Sequence, residues 1–551
     1  MSWNSWKRIV GPAVALSAIA LMLSHARAEK PAAPAAELEP VVVGTPERIE
    51  VFPASFQLDS PRRAVHVIVT GIYAGGAVQD LTRVAELSAA DDKIARTETN
   101  AVLPAANGQT EVTVKVGGHE AKVAVEVTGQ ETPEQVSFHY GTLAVLSKQG
   151  CNQGACHGSP SGKGGFRMSL RAYDPALDIQ TLVREAYNRR TNLYEPEKSL
   201  LLRKPLMEVA HGGGRRLTKK DLGYEVLRDW IAQGCQLDPS DAPQCVKLDI
   251  YPRERILMRP AHTQQMVALA HFSDGSVRDV TRLACFSSSD EAVATVDADG
   301  LVVGHDRGEA AVLVRFLDKL ESATMMFLKE VPGFKWNSPP ENNFVDHHVL
   351  AKLQQLQILP SDLCSDEEFI RRVYLDVIGV LPEPAETAAF LTDTDPQKRA
   401  KVIDALLVRP EFAEFWALKW GDLLRIRNAK VSTSGVHKFH RWLVAAFRDN
   451  MPYDQFAKEL LTADGSTFVN PPANYFRTAT ETNDCTETTS QLFLGIRIQC
   501  AKCHNHPFER WSQDNYYGIG AFFNRVQRKP GVNPDEQVIW VARAGEVTQP
   551  R

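Results

Sequence analysis

The hexapeptide Val78-Gln79-Asp80-Leu81-Thr82-Arg83 returns as Val277-Arg278-Asp279-Val280-Thr281-Arg282. A Ser/Asp-rich turn follows each copy: Leu87-Ser88-Ala89-Ala90-Asp91-Asp92 after the first, Phe286-Ser287-Ser288-Ser289-Asp290-Glu291 after the second. Such a repeat commits the chain to two units of one fold. Because there are only two copies and they are not adjacent, a solenoid is excluded. The flanking residues are strand-like. His66-Val67-Ile68-Val69 and Val112-Thr113-Val114-Lys115-Val116 are β-branched runs, and Ala121–Val127 alternates with a period of two. Turn residues such as Ala74-Gly75-Gly76 and Ala106-Asn107-Gly108 separate the runs. The pattern predicts small all-β sandwiches over residues 46–128 and 246–330.

At 551 residues the chain is too long for one core and must be multidomain. A net charge of −5 over that length gives no reason to expect nucleic acid or an anionic membrane as partner. At the N-terminus Lys7 and Arg8 precede the apolar run Ile9–Leu23, followed by Ala26-Arg27-Ala28. This predicts a secretory signal peptide over 1–28, cut after Ala28. The Ala-, Pro- and Glu-rich stretch 29–45 reads as a flexible linker. No other segment is long and apolar enough to cross a bilayer. The expectation is an exported protein, periplasmic or at the cell surface, with no membrane span after signal cleavage. Export permits disulfides and places the chain where c-type haem is attached.

Nine cysteines are present. Cys500-Ala501-Lys502-Cys503-His504 is the C-x-x-C-H pattern of covalent haem attachment. Each thiol adds to a haem vinyl group, and the adjacent His ligates iron. Cys151-Asn152-Gln153-Gly154-Ala155-Cys156-His157 echoes it with four residues between the cysteines. The candidate haem c residues are therefore Cys151, Cys156 and His157 at one site and Cys500, Cys503 and His504 at the other, for one or two haems. No Met or His follows His506, so a sixth ligand for the second site is sought upstream, among His437, His440, Met451, His347 and His348. A rival assignment gathers Cys485, Cys500 and Cys503 with His504 or His506 as a closed Cys3His zinc site. Of the other cysteines, Cys235 and Cys245 flank a polar, Pro-containing loop and can pair. The glycines Gly158, Gly162, Gly164 and Gly165 lack the spacing of a phosphate-binding loop.

Between the sandwiches, over 133–240, the character is helical. Thr142–Lys148 reads as a short helix running into Cys151. Thr218, with Asp221 at the capping-box position, starts a second helix, whose apolar face is Leu222, Val226, Leu227, Trp230 and Ile231 and which Gly234 ends. Cys156-His157-Gly158, Pro196-Glu197-Lys198-Ser199-Leu200-Leu201, His211-Gly212-Gly213-Gly214 and Leu227-Arg228-Asp229-Trp230-Ile231 resemble planctomycete-type cytochrome c domains. That resemblance implies an all-α cytochrome c-like domain with haem between its terminal helices. The axial partner of His157 is sought first in His211, then in Met207, then in Met168, for which core packing is the plainer role.

The second β unit carries Asp274-Gly275-Ser276-Val277-Arg278-Asp279-Val280-Thr281, Phe286–Asp290 and Gly308-Glu309-Ala310, and resembles the bacterial Ig-like domain of group 2. Such modules act as spacers or adhesion domains. From 340 to 527 the chain is mainly helical. Ser365 and Glu368 cap a helix bearing Phe369, Ile370, Val373, Tyr374, Val377 and Ile378, which Leu381-Pro382-Glu383-Pro384 breaks. Further helices start after Asp395-Pro396, hold Phe412 to Trp420, Phe439 to Phe447 and Phe456 to Leu461, and run from Thr489 to Ile498. Phe369–Asp376, Gly379-Val380-Leu381-Pro382 and Cys500–Pro507 resemble a planctomycete-type domain of unknown function. Members usually continue into a further domain, so residues 528–551 read as a tail.

The sequence thus predicts an exported haem-binding protein that transfers electrons outside the cytoplasm, working with redox partner proteins. The alternative is a non-enzymatic surface module that binds cell-surface glycan or protein through its Ig-like domains, with structural Cys-His sites. No carboxylate pair or Ser-His-Asp set stands out at informative spacing.

Overall fold

The computed structural model describes residues 38–131, 134–503, 506 and 511–546. The segment read as a signal peptide, His504 and the end of the tail lie outside the described residues. Ten strands run between Arg48 and Val127, and ten between Cys245 and Leu328. The sequence repeat is repeated in topology. Residues 48–52, 68–72 and 78–80 form a three-stranded antiparallel sheet, as do 245–251, 267–272 and 277–279. A four-stranded sheet in each copy pairs its first strand in parallel with its last: 55–58 with 119–127, and 254–258 with 319–328. The predicted alternation holds, with Val123, Val125 and Val127 facing the core.

The two copies face each other about a pseudo-two-fold axis. Asp80 and Asp279 are equivalent, 199 positions apart. Each turns one oxygen to its own loop: Asp80 Oδ1 accepts from Thr82 N, and Asp279 Oδ1 from Thr281 N, both at 2.9 Å. The other oxygen crosses to the opposite copy. Asp80 Oδ2 accepts from Gln265 N at 2.6 Å, and Asp279 Oδ2 accepts from His66 N at 2.7 Å. His66 and Gln265 are themselves equivalent. So are Phe52 and Tyr251, whose rings stack with centroids 3.9 Å apart. One difference breaks the symmetry: His66 Nδ1 also meets Asp279 Oδ2, at 2.9 Å. Burial pushes both carboxyls upward. For Asp80 burial wins, whereas the imidazole and hydrogen bonds of His66 hold Asp279 below the ordinary carboxylate range. Residues 38–45, expected as a flexible linker, pack here: Tyr73 donates to Val43 O, and Glu39 pairs with Arg259 at 2.8 Å.

Residues 134–240 share one continuous core with the second copy. Tyr140 lies edge-on to Phe272 at 5.0 Å, and its hydroxyl accepts from Cys245 N at 2.9 Å. Lys148 Nζ donates to the carbonyls of Thr281, Ala284 and Ala298. Arg62 of the first copy pairs with Asp229 at 2.6 Å. The helices here are short: Ala144–Lys148, Pro175–Ile179, Leu200–Arg203 and Leu222–Ala232. The last starts at Leu222 with Asp221 as N-cap, three residues past the expected cap at Thr218, because Asp221 turns back to hold Thr218 N and Oγ1. Cys235 and Cys245 are both buried and free, so the expected pairing does not form.

The C-terminal region is helical, with a small sheet. Its helices are Phe344–Gln355, Asp366–Ile378, Pro384–Thr392, Lys398–Leu407, Pro410–Leu423, Asn428–Arg448, Tyr453–Leu461, Tyr475–Thr478, Thr482–Phe493 and Gln513–Gly520. The expected 489–498 helix instead spans Thr482–Phe493 and is followed by a 3-10 turn, Ile498–Lys502. The boundary expected at 527 falls inside a strand, Val526–Pro530. That strand pairs with Gln537–Val541, which pairs in turn with Gly465–Ser466. Among the described residues no helix is long and apolar enough to cross a membrane.

Candidate functional site

The first Cys-His loop is built on the end of the Ala144–Lys148 helix. Cys151 N donates to Leu146 O, and His157 N returns to Cys151 O, both at 2.9 Å, closing the loop. Gly158 is obligatory there: a Cβ would stand 2.0 Å from Asn152 O. The buried Asn152 donates to Ser147 Oγ at 2.8 Å, while its Oδ1 has no partner among the described residues. Both thiols are free. Burial pushes Cys151 up to about 12, so it is held as the thiol.

The structure places His157 and His211 next to each other. Their ring centroids are 6.5 Å apart and their planes differ by 14°. Each Nδ1 is tied to a backbone carbonyl, His157 to Phe166 O at 3.0 Å and His211 to Gly214 O at 2.8 Å. With Nδ1 as donor, Nε2 is left as the ligating nitrogen. Burial lowers the pKa of His157, which favours the neutral, metal-binding form. Phe166 packs on His157 at 4.5 Å, and Arg190 covers Phe166. The other axial candidates are placed differently: Met207 is 44% exposed, and Met168 is 2% exposed in the shared core. The Phe166 and Gly214 carbonyls escaped the sequence reading, because a main-chain acceptor leaves no mark on residue type.

The second loop is shaped by its 3-10 turn. Ile498 and Ala501, three apart, face inward with Tyr516. Cys500 and Cys503, also three apart, are exposed and free. Lys502 O is held by Tyr517 Oη at 3.0 Å. His504 lies outside the described residues. Cys485 is buried away from solvent, donating to Ala479 O at 3.2 Å, and burial pushes its thiol up to about 12. His506 is buried, and its N–H bonds Trp511 O at 2.7 Å. Among the described residues no three His, Cys, Asp or Glu side chains gather as a metal site, so Cys485, Cys500, Cys503 and His506 are not brought together. Of the distal candidates, His437 and His440 lie on Asn428–Arg448, and His347 and His348 lie on Phe344–Gln355, a helix with no buried residue. Met451 packs against the C-terminal core.

Comparison with known proteins fits this division of the chain. No curated protein matches. Solved structures that align include S-layer protein SbsC, domains 5-6, at 12% identity over 51% of this chain and 98% of that one, TM-score 0.22. A second, SbsC domains 4-9, aligns at 12% identity over 52% and 32%, TM-score 0.22. Scores this low carry no argument. Residues 249–316 match the bacterial Ig-like domain (group 2), and residues 344–528 match PSCyt2, described as a protein of unknown function (DUF1549). The two matches leave residues 38–248 without a matching family model and assign similarity only to these two stretches.

Proposed function

We propose that residues 133–240 form a cytochrome c-like unit that binds haem with His157 and His211 as the axial pair, and that the exported protein carries electrons outside the cytoplasm. The observation behind this reading is the facing imidazole pair with both Nδ1 atoms tied to carbonyls. His157 and His211, each with Nδ1 engaged, are the residues that would hold the group through Nε2. Cys151 and Cys156 lie in the same loop as His157 and would anchor the group. Haem bound there supplies a one-electron couple tuned by axial ligands, hydrogen bonding and burial. The chain's own part is to fix both rings, keep His157 neutral and shield its face with Phe166.

The test is expression in a host with active c-haem maturation, followed by a reduced-minus-oxidised spectrum of the denatured chain. Covalent haem is expected, with loss or weakening in Cys156→Ala. His211→Ala should keep the covalent haem but change the native spectrum. A folded wild-type chain without haem would sink the reading. The same preparations, assayed for zinc before and after Cys500→Ala, decide between haem and zinc at the second loop.

A second reading, a non-enzymatic surface module that binds glycan or protein, is favoured by the reciprocal Asp80 and Asp279 contacts, which make the Ig-like pair a rigid unit. Haem-free chain that sediments with isolated cell envelopes would support it.

A further inference from the structure

The outward face of the four-stranded sheet differs between the two β copies. In the first copy, strand 119–127 alternates as a half-buried strand should: Val123, Val125 and Val127 point inward, while Lys122 and Ala124 point outward and are exposed. In the second copy, Met326 and Leu328 fall on the outward positions of strand 319–328, yet they are 0% and 6% exposed. The register matches the two faces position by position. Glu126 stands between Gln57 and Gln109, and Met326 stands between Ile256 and Glu309.

The start of the C-terminal region lies against the face of the second copy. Lys352, in Phe344–Gln355, pairs with Glu309. Arg307 Nη1 donates to Gln357 O at 3.4 Å, and Gln357 Oε1 accepts from Val331 N at 3.0 Å. A lysine-bearing helix is thus docked there. The matching face of the first copy is an open groove of about 870 Å³, lined by Gln57, Asp91, Gln109, Glu111, Ala124 and Glu126. Its chemistry is acidic where the second copy is apolar. Glu111 meets Lys122 at 3.0 Å, but among the described residues no cation pairs with Asp91 or Glu126. Glu126 is held between two neutral amides, those of Gln57 and Gln109.

We propose that this groove docks a basic helix of a partner protein, whose lysine or arginine side chains reach Glu126 and Asp91 as Lys352 reaches Glu309. The unpaired carboxylates select a cationic helix over an apolar one. The surface is separate from both Cys-His loops and serves with or without haem in the middle region.

The experiment titrates the full chain into three fluorescein-labelled probes at physiological ionic strength, read by anisotropy. The first is an alanine-based helix of about 15 residues with lysines along one face. The second carries glutamates in their place, and the third is a neutral hexasaccharide of β-1,4-linked glucose. Saturable binding of one lysine helix per chain is expected, with neither of the other probes bound. Glu126→Gln should weaken it by about 10-fold, and Ala124→Trp, which fills the floor of the groove, should abolish it. Glu414→Gln, an exposed carboxylate on Pro410–Leu423, should leave it unchanged. Binding of the lysine helix that is unsaturable, or equal in wild type, Glu126→Gln and Ala124→Trp, overturns the proposal. So does a glutamate helix bound as well as the lysine helix, or the saccharide bound in its place. If Ala124→Trp does not fold, Glu126→Gln decides alone, and equal affinity in that variant and the wild type overturns the proposal.

Discussion

The Asp178 carboxylate sits where burial penalises its charge. It is fully buried and held by Ser169 N at 2.6 Å and Ser169 Oγ at 2.5 Å, and burial pushes its pKa up to about 6. A folded pKa above the unfolded one contributes stability below about pH 4, and that contribution is lost as pH rises through about 6. Asp178→Asn keeps an acceptor for Ser169 N and removes the charge. It should raise the stability of the middle region at pH 7 by about 2 kcal/mol and flatten its pH dependence between 4 and 7, as measured by urea unfolding at each pH. The crossing aspartates behave differently. Asp279→Ala strands the His66 and Thr281 N–H groups, each worth about 1–3 kcal/mol when buried unpaired. A loss of about 3 kcal/mol is expected in urea unfolding followed by tryptophan fluorescence. The repeat made Asp80 and Asp279 visible in the sequence, and C-x4-C-H led to His157. That the aspartates bond across to the other copy was not legible, because a hexapeptide does not say what faces it.

Elements with both an end signal and an apolar face were legible. Asp366–Ile378 is one: Ser365 Oγ accepts from Glu368 N, Ile370, Val373, Tyr374 and Ile378 are buried, and Gly379 ends it at φ 72°. A Cβ on Gly379 would meet the Phe415 ring at 2.2 Å as well as a left-handed backbone. Gly379→Ala should cost about 2 kcal/mol or more, seen as a lower thermal midpoint of the C-terminal region by circular dichroism. Pro384–Thr392 was missed because Pro382 and Pro384 read as breakers, whereas Pro384 occupies the first helical turn, where its missing N–H does no harm. Thr482–Phe493 was placed seven residues late at its start because its buried face holds Cys485, Thr486, Thr489 and Ser490, which leave no apolar period to read.

On the scale of the whole molecule, the order of β, helical, β and helical regions was legible from composition and repeat. The packing between them was not, since it depends on single contacts such as those of Lys148 and Tyr140. The closing sheet of the C-terminal region was read as tail because its strands are short and polar at their edges. Ile539, 1% exposed in that core, marks the strand that holds it. A chain ending at Gln527 should therefore lose its C-terminal fold, and limited trypsin digestion should cut it within 400–527 while leaving the same span of the full chain intact.

The reciprocal pairing of the β copies also has a timetable. The second member of each equivalent pair follows the first by 199 residues. At ribosomal rates of about 5–20 residues per second, that is on the order of 10–40 s. Throughout that interval Asp80 and His66 present water-bonded groups where their counterparts will later dock. The first copy must be stable enough to wait in that state. The middle region can meet the first copy earlier, through Arg62 and Asp229, but the core it shares with the second copy closes only once that copy has been made.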